Sequence, residues 1–131
     1  MSEPFEWRHL LDLALELAQH ADDETRLRTA VSRAYDAAYC SAAEYVLANT
    51  PNLKRTDLTH DAVWHVFRTP SNRDRWTIFD DGMNLKHHRI DADYWRPMQA
   101  RRPASIMRDA LYRSARILRL LERLEPESSD R

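Results

Sequence analysis

Apolar side chains recur along this chain every three or four residues, the period of an α-helix with one buried face. Leu10, Leu13, Ala14, Leu17 and Ala21 follow these steps and predict a first helix over 5–20. Asp22 or Asp23 then caps a long second helix to Asn49, with the stripe Leu27, Val31, Ala34, Ala38, Ala42 and Tyr45. Ala34, Ala37, Ala38, Ser41 and Ala42 are small enough to let another helix approach it closely. Residues 49–56 contain Asn-Thr-Pro-Asn and read as a connection. A short third helix over 58–68 would bury Val63, Trp64 and Phe67 before Pro70 stops it. Ser71 is placed to cap a fourth helix, with Asp74 completing a capping box, and this helix runs to Tyr94 with a bend near Gly82. After an arginine-rich loop at 95–102, Pro103 opens a fifth helix. Its apolar face is Ile106, Ala110, Ile117, Leu121 and Leu124, widened by Met107, Leu111 and Leu118. The prediction is an all-α fold, an antiparallel bundle of four to five helices.

Composition narrows the picture. Gly82 is the only glycine, whereas hairpins and sandwiches use glycine at their tight turns. The 131 residues suit one domain over 1–125 with a polar tail at 126–131, and 43% apolar residues supply its core. Cys40 is the only cysteine, which excludes an internal disulfide and a cysteine-based zinc site. No apolar run approaches the roughly 20 residues that span a bilayer, and the acidic Met1-Ser2-Glu3-Pro4 start is unlike a signal peptide. A cytoplasmic protein with no membrane partner is expected.

Charge is unevenly distributed. Residues 1–50 carry four Lys+Arg against nine Asp+Glu, a balance of −5, while residues 53–119 carry fourteen against eight, a balance of +6. Eighteen of the twenty basic residues are arginine, the side chain suited to bidentate phosphate and carboxylate contacts. The basic stretch reads either as a nucleic-acid surface or as arginines paired with the acidic first half.

Little of the candidate chemistry survives inspection. Asp57-x-x-His60 has the spacing of half a di-iron site, but such a site also needs further inward-facing glutamates, and neither metal nor cofactor is expected. One glycine cannot build a nucleophile elbow, a phosphate-cradling loop or a dinucleotide fingerprint. Cys40 reads as packing on the small-residue helix. The stretch from Asn84 to Tyr94 is richer: Arg89 can neutralise a phosphate and His87 or His88 can move a proton from a ribose hydroxyl, the minimum for metal-free RNA cleavage. The competing reading is a charged helix face on which Arg89 pairs with Asp93.

Residues 28–46, with Ala30-Val31-Ser32-Arg33-Ala34-Tyr35-Asp36-Ala37-Ala38, resemble the long helix of HEPN domains. His60-x-x-Val63-x-x-x-Phe67 resembles the start of that family's third helix. Leu85-x-x-x-Arg89-x-x-Ala92-Asp93-Tyr94 is similar to the Arg-x-x-Ala-Asp-Tyr signature of one HEPN subgroup. The resemblance implies a four- to five-helix bundle that dimerises, and a place in toxin–antitoxin, CRISPR or other defence systems. Active HEPN members are metal-independent RNases with an arginine followed, after four to six residues, by histidine. Here no histidine follows Arg89, and the corresponding position is Tyr94, a poor base at neutral pH. The literal match Arg55-x4-His60 lies before the third helix, outside the motif's usual place.

The expectation is therefore a HEPN-like homodimer that binds RNA or a partner protein (antitoxin, nucleotidyltransferase or effector complex) without the usual RNase activity. Lys86, Arg89, Arg96, Arg101 and Arg102 would contact phosphates, with Tyr94 stacking on a base or packing at the dimer seam. The alternatives are a metal-independent endoribonuclease using Arg89 with a displaced His88, and an adaptor with no nucleic-acid role.

Overall fold

The computed structural model describes residues 5–20, 22–94 and 103–124. Within them lie α1 (Arg8–Ala18), α2 (Glu24–Asn49), a 3-10 turn (Arg55–Asp57), α3 (His60–Val66), α4 (Arg73–Tyr94) and α5 (Pro103–Arg123), with no strand. The predicted loop at 95–102 and the tail at 126–131 fall outside the described residues. None of the described helices is long and apolar enough to cross a membrane.

The helix ends follow from local hydrogen bonding. Asp23 caps α2 by accepting from the backbone N–H of Thr25 at 2.9 Å, and Thr59 caps α3 by accepting from Ala62 at 3.1 Å. At α4 the cap is Asn72 and not the predicted Ser71: its Oδ1 accepts from the Arg75 N–H at 3.0 Å. Asparagine caps as well as serine does, and the helix simply starts one residue later. In the connection after α2, Asn52 takes a left-handed φ of 70°, which asparagine tolerates better than most residues.

Helix α2 packs against all four other helices, so it is buried on most sides and its predicted stripe is only part of what it buries. Leu27, Val31, Ala34, Ala38 and Ala42 are buried as expected, joined by Ala30, Tyr35, Ala37, Ala43 and Val46. Its small residues admit α5, where the fully buried Ser114 hydroxyl donates to the Ala34 carbonyl at 2.7 Å. Along α5, Ile106, Met107, Ala110, Ile117 and Leu120 are buried, with Leu111, Leu118, Leu121 and Leu124 half-buried beside them. The first helix is shorter and turned relative to the prediction. Leu11 and Ala14 face the core, while Leu13 is 41% exposed, because α1 packs mainly on α2 and presents a narrow face.

Helix α4 runs through Gly82 without interruption. The reason for the glycine is Trp64: a Cβ at residue 82 would lie 2.2 Å from Trp64 Cε3 and 2.3 Å from Cδ2. The fully buried indole occupies the space a side chain would need, and its Nε1 donates to the Tyr35 hydroxyl at 3.2 Å. Gly82→Ala, worth about 1 kcal/mol of stabilisation in an exposed helix, should here cost about 2 kcal/mol net or more by overpacking. Thermal unfolding should show a midpoint lower by roughly 8 °C. A midpoint equal to or above the parent's would contradict this account of the packing.

Candidate functional site

Helix α4 separates the charged residues of the sequence motif onto two flanks. Neighbours on a helix point about 100° apart, so His88 and Arg89 serve different partners. His88 faces α5, where its Nε2 lies 2.8 Å from Asp109 Oδ2. Asp109 also accepts from Arg113 Nε at 2.7 Å. Arg113 then reaches Asp81, which is fully buried and also takes two bonds of 2.7 Å from Arg116. Burial raises the affinity of the Asp109 carboxyl for its proton, and the hydrogen bonds from Arg113 and His88 more than offset this, leaving its pKa below the ordinary value. This network ties α4 to α5, and it engages His88 away from Arg89.

The other flank carries the line Gly82, Lys86, Arg89 and Asp93, spaced four, three and four. Lys86 Nζ meets Asp61 of α3 at 2.5 Å, an exposed pair that holds the Asp61 carboxyl below its ordinary range. The Arg89 guanidinium sits 5.1 Å from the centre of the Tyr35 ring and 3.4 Å from Asp93 Oδ2. Asp93 in turn accepts from the Ser32 hydroxyl of α2. Next to Ser32 on α2, Arg33 pairs with Asp36 at 3.2 Å. Burial pushes the Asp36 carboxyl above its ordinary pKa, opposed by Arg33 and Arg89 and reinforced by Asp93, so these groups feel one another. A polar groove of about 310 Å³ adjoins them, lined by Arg28, Ser32, Arg33 and Asp93 with two threonines.

His60 closes the site from the start of α3. Its Nδ1 is 2.6 Å from the Tyr35 hydroxyl, and its ring lies parallel to Tyr39 at a centroid distance of 3.9 Å. Burial first, and then the Arg89 and Lys86 cations, hold the imidazole below its ordinary pKa of 6.5. Burial likewise pushes the Tyr35 phenol far above its ordinary range. The site thus brings together three basic side chains (Arg33, Lys86, Arg89), three acidic ones (Asp36, Asp61, Asp93) and a histidine held toward its neutral form.

Of the residues picked from sequence, Lys86 and Arg89 stand together, Tyr94 is 71% exposed just beyond them, and His88 is turned to α5. Arg96, Arg101 and Arg102 lie outside the described residues. In the sequence His60 stands out by its spacings to Asp57 and Arg55 and as the start of the third-helix resemblance, and Ser32, Arg33, Tyr35 and Asp36 as part of the long-helix resemblance, but none of them is among the expected site residues. The signal available was a phenol and two charges inside an alanine-rich helix. The expected pairing of the basic half with the acidic half is not what the described ion pairs do. Arg26, Arg28 and Arg33 pair with Asp23, Glu24 and Asp36, while Arg89, Arg113, Arg116 and Arg123 pair with Asp93, Asp109, Asp81 and Asp74. Among the described residues no three His, Cys, Asp or Glu side chains are gathered to hold a metal ion.

The depressed pKa of His60 has a consequence for stability. Between the folded pKa and 6.5 the unfolded chain binds the proton that the folded chain refuses, so this group's contribution is complete above pH 6.5 and is lost as pH falls below it. Urea unfolding at about pH 7.5 and about pH 5.5 should show the parent losing more stability on acidification than His60→Gln. Equal losses in the two proteins would contradict a depressed His60. No protein-family model, curated protein or solved structure gives a significant match to this chain.

Proposed function

We propose that this chain is a HEPN-like helical protein that binds RNA through the face of α2, α3 and α4 centred on Arg89, without cleaving it. One observation carries the reading. The buried side-chain donors left without a hydrogen-bond partner among the described residues are the Nε–H groups of Arg33 and Arg89, both at this face. A buried donor with no acceptor costs about 1–3 kcal/mol, and a phosphate oxygen that reaches either Nε–H as the side chain shifts outward supplies the acceptor.

Because every cation here already faces a carboxylate, binding proceeds by exchange. Arg89 and Asp93 are the pair most ready for it, since 3.4 Å exceeds the roughly 2.7–2.9 Å of a strong charge-assisted bond. RNA phosphate displaces Asp93 from Arg89, and Ser32 retains the released carboxylate. Tyr94, at the end of the same helix, is exposed and offers a ring for a base. A cleaving reading with His88 gains no support from a histidine engaged with Asp109 on the opposite flank.

Arg89→Ala should weaken binding of single-stranded RNA by about tenfold or more and reduce the salt slope by about 0.7. Asp93→Asn keeps the acceptor for Ser32 while removing the competing charge, and should strengthen binding. Affinity titrations over a salt series measure both. Unchanged affinity in both variants would sink the reading, and RNA cleavage lost on Arg89→Ala would replace it with the endoribonuclease. No measurable RNA affinity in the parent would leave the adaptor.

The same reading includes a homodimer. Leu13 and Leu15 are 41% and 47% exposed on α1, and Phe5 and Trp7 line a groove of about 290 Å³ with Leu118 and Leu121. Surface of this kind suits a self-complementary contact. Sedimentation at micromolar concentration should give twice the 15.5 kDa chain mass, and a monomer there would remove the dimer from the proposal.

A further inference from the structure

We infer that His60 belongs to the RNA-binding surface as a neutral N–H donor, presenting Nε2–H to a phosphate oxygen beside Arg89, and that Tyr35, anchored by Trp64, is the positioning residue that fixes this tautomer. The inference rests on the RNA-binding reading and adds to it a residue, a protonation state and a reason for binding without cleavage.

The proton count carries the argument. An indole N–H only donates, so Trp64 Nε1 makes the Tyr35 oxygen an acceptor. Tyr35 is fully buried, and its own O–H needs an acceptor in turn. Trp64 cannot accept, which leaves His60 Nδ1 at 2.6 Å. Nδ1 therefore carries the lone pair, and the imidazole's single proton sits on Nε2. In the other tautomer two donors would crowd one oxygen and strand a buried phenol proton, which disfavours it by roughly tenfold or more. Full protonation has the same defect.

The groups around the ring are Tyr35, Asp36 and Tyr39 on α2, Asp61 on α3, and Lys86 and Arg89 on α4. Burial and the two cations outweigh the two carboxylates, and the ring stays neutral. Stacking on Tyr39 fixes its plane. Nε2 makes no hydrogen bond within the described residues and remains available to a ligand. A nitrogen that already holds its proton can donate to a phosphate oxygen and cannot accept the proton of a ribose hydroxyl. The site thus holds a phosphodiester without activating its neighbouring 2′-hydroxyl.

Two measurements on the whole chain test this. Long-range 1H–15N correlation of 15N-labelled protein at neutral pH, with His60 identified by its loss in His60→Gln, should report a protonated Nε2 and a bare Nδ1. In Tyr35→Phe the same signals should shift toward a mixture of tautomers. Fluorescence anisotropy with a labelled single-stranded oligouridylate then tests the donor. Glutamine places an amide N–H near the Nε2 position and asparagine near Nδ1, so His60→Gln should keep affinity within about threefold while His60→Asn and His60→Ala lose about tenfold. A protonated Nδ1 in the parent overturns the inference. So does equal affinity in all three His60 variants while Arg89→Ala still weakens binding, a result that leaves the RNA reading standing. If Arg89→Ala binds as well as the parent, the RNA reading fails and takes this role of His60 with it. Should His60→Ala not fold, the parent's tautomer and the Gln–Asn comparison decide the matter alone.

Discussion

The contact between Trp64 and Gly82 sets the spacing on which the rest of the molecule depends. An indole lying against bare helix backbone brings α3 onto α4 at a distance no other residue at 82 would allow. The same ring extends its N–H to Tyr35 on α2, so one side chain fixes three helices relative to one another. Everything that makes the polar face possible follows from this placement. Tyr35 is held where Arg89 can cover its ring, and His60, one turn before Trp64, is brought to the phenol oxygen.

Helix α4 would be a poor helix by hydrophobic pattern alone, since it carries charge nearly all round. It is stabilised instead by dividing its charges between two neighbours. Asp81 and His88 are matched by arginine and aspartate on α5, and Lys86, Arg89 and Asp93 by groups on α2 and α3. Asp81 is the extreme case, with no exposure and bonds from two arginines. Removing one side of such a buried pair leaves an uncompensated charge and costs roughly 3–5 kcal/mol. Arg113 and Arg116 of α5 therefore serve the fold, and the excess of basic residues in the second half cannot be read wholesale as a nucleic-acid surface.

The two flanks differ in how completely their bonding is satisfied. On the α5 side the bonds are near 2.7 Å and bidentate at Arg116. On the α2–α3 side the Arg33 and Arg89 pairs are longer, and both arginines keep a buried N–H without an acceptor. Tight, saturated pairing is what a structural network does. Looser pairing around a neutral histidine and an arginine laid on a phenol ring is better suited to exchanging partners, which is why the proposed function is built there.

The amino-acid sequence by itself determined the helices. Apolar steps of three and four, an alanine-rich second helix, Asp23 and Pro103 at helix starts and a single glycine are local signals, and local backbone physics is enough to read them. It also picked out Arg89 and Lys86, because charge and spacing along one helix are visible in one dimension. Only tertiary structure decided that His60 stands with Arg89 while the adjacent His88 does not. A step of about 100° around a helix separates neighbours in sequence, and packing of α3 on α4 joins residues 29 apart. The tautomer of His60 is further still from the sequence. It depends on a buried phenol having one proton to give and one nitrogen to receive it, a condition that exists only once Tyr35, His60 and Trp64 are packed together.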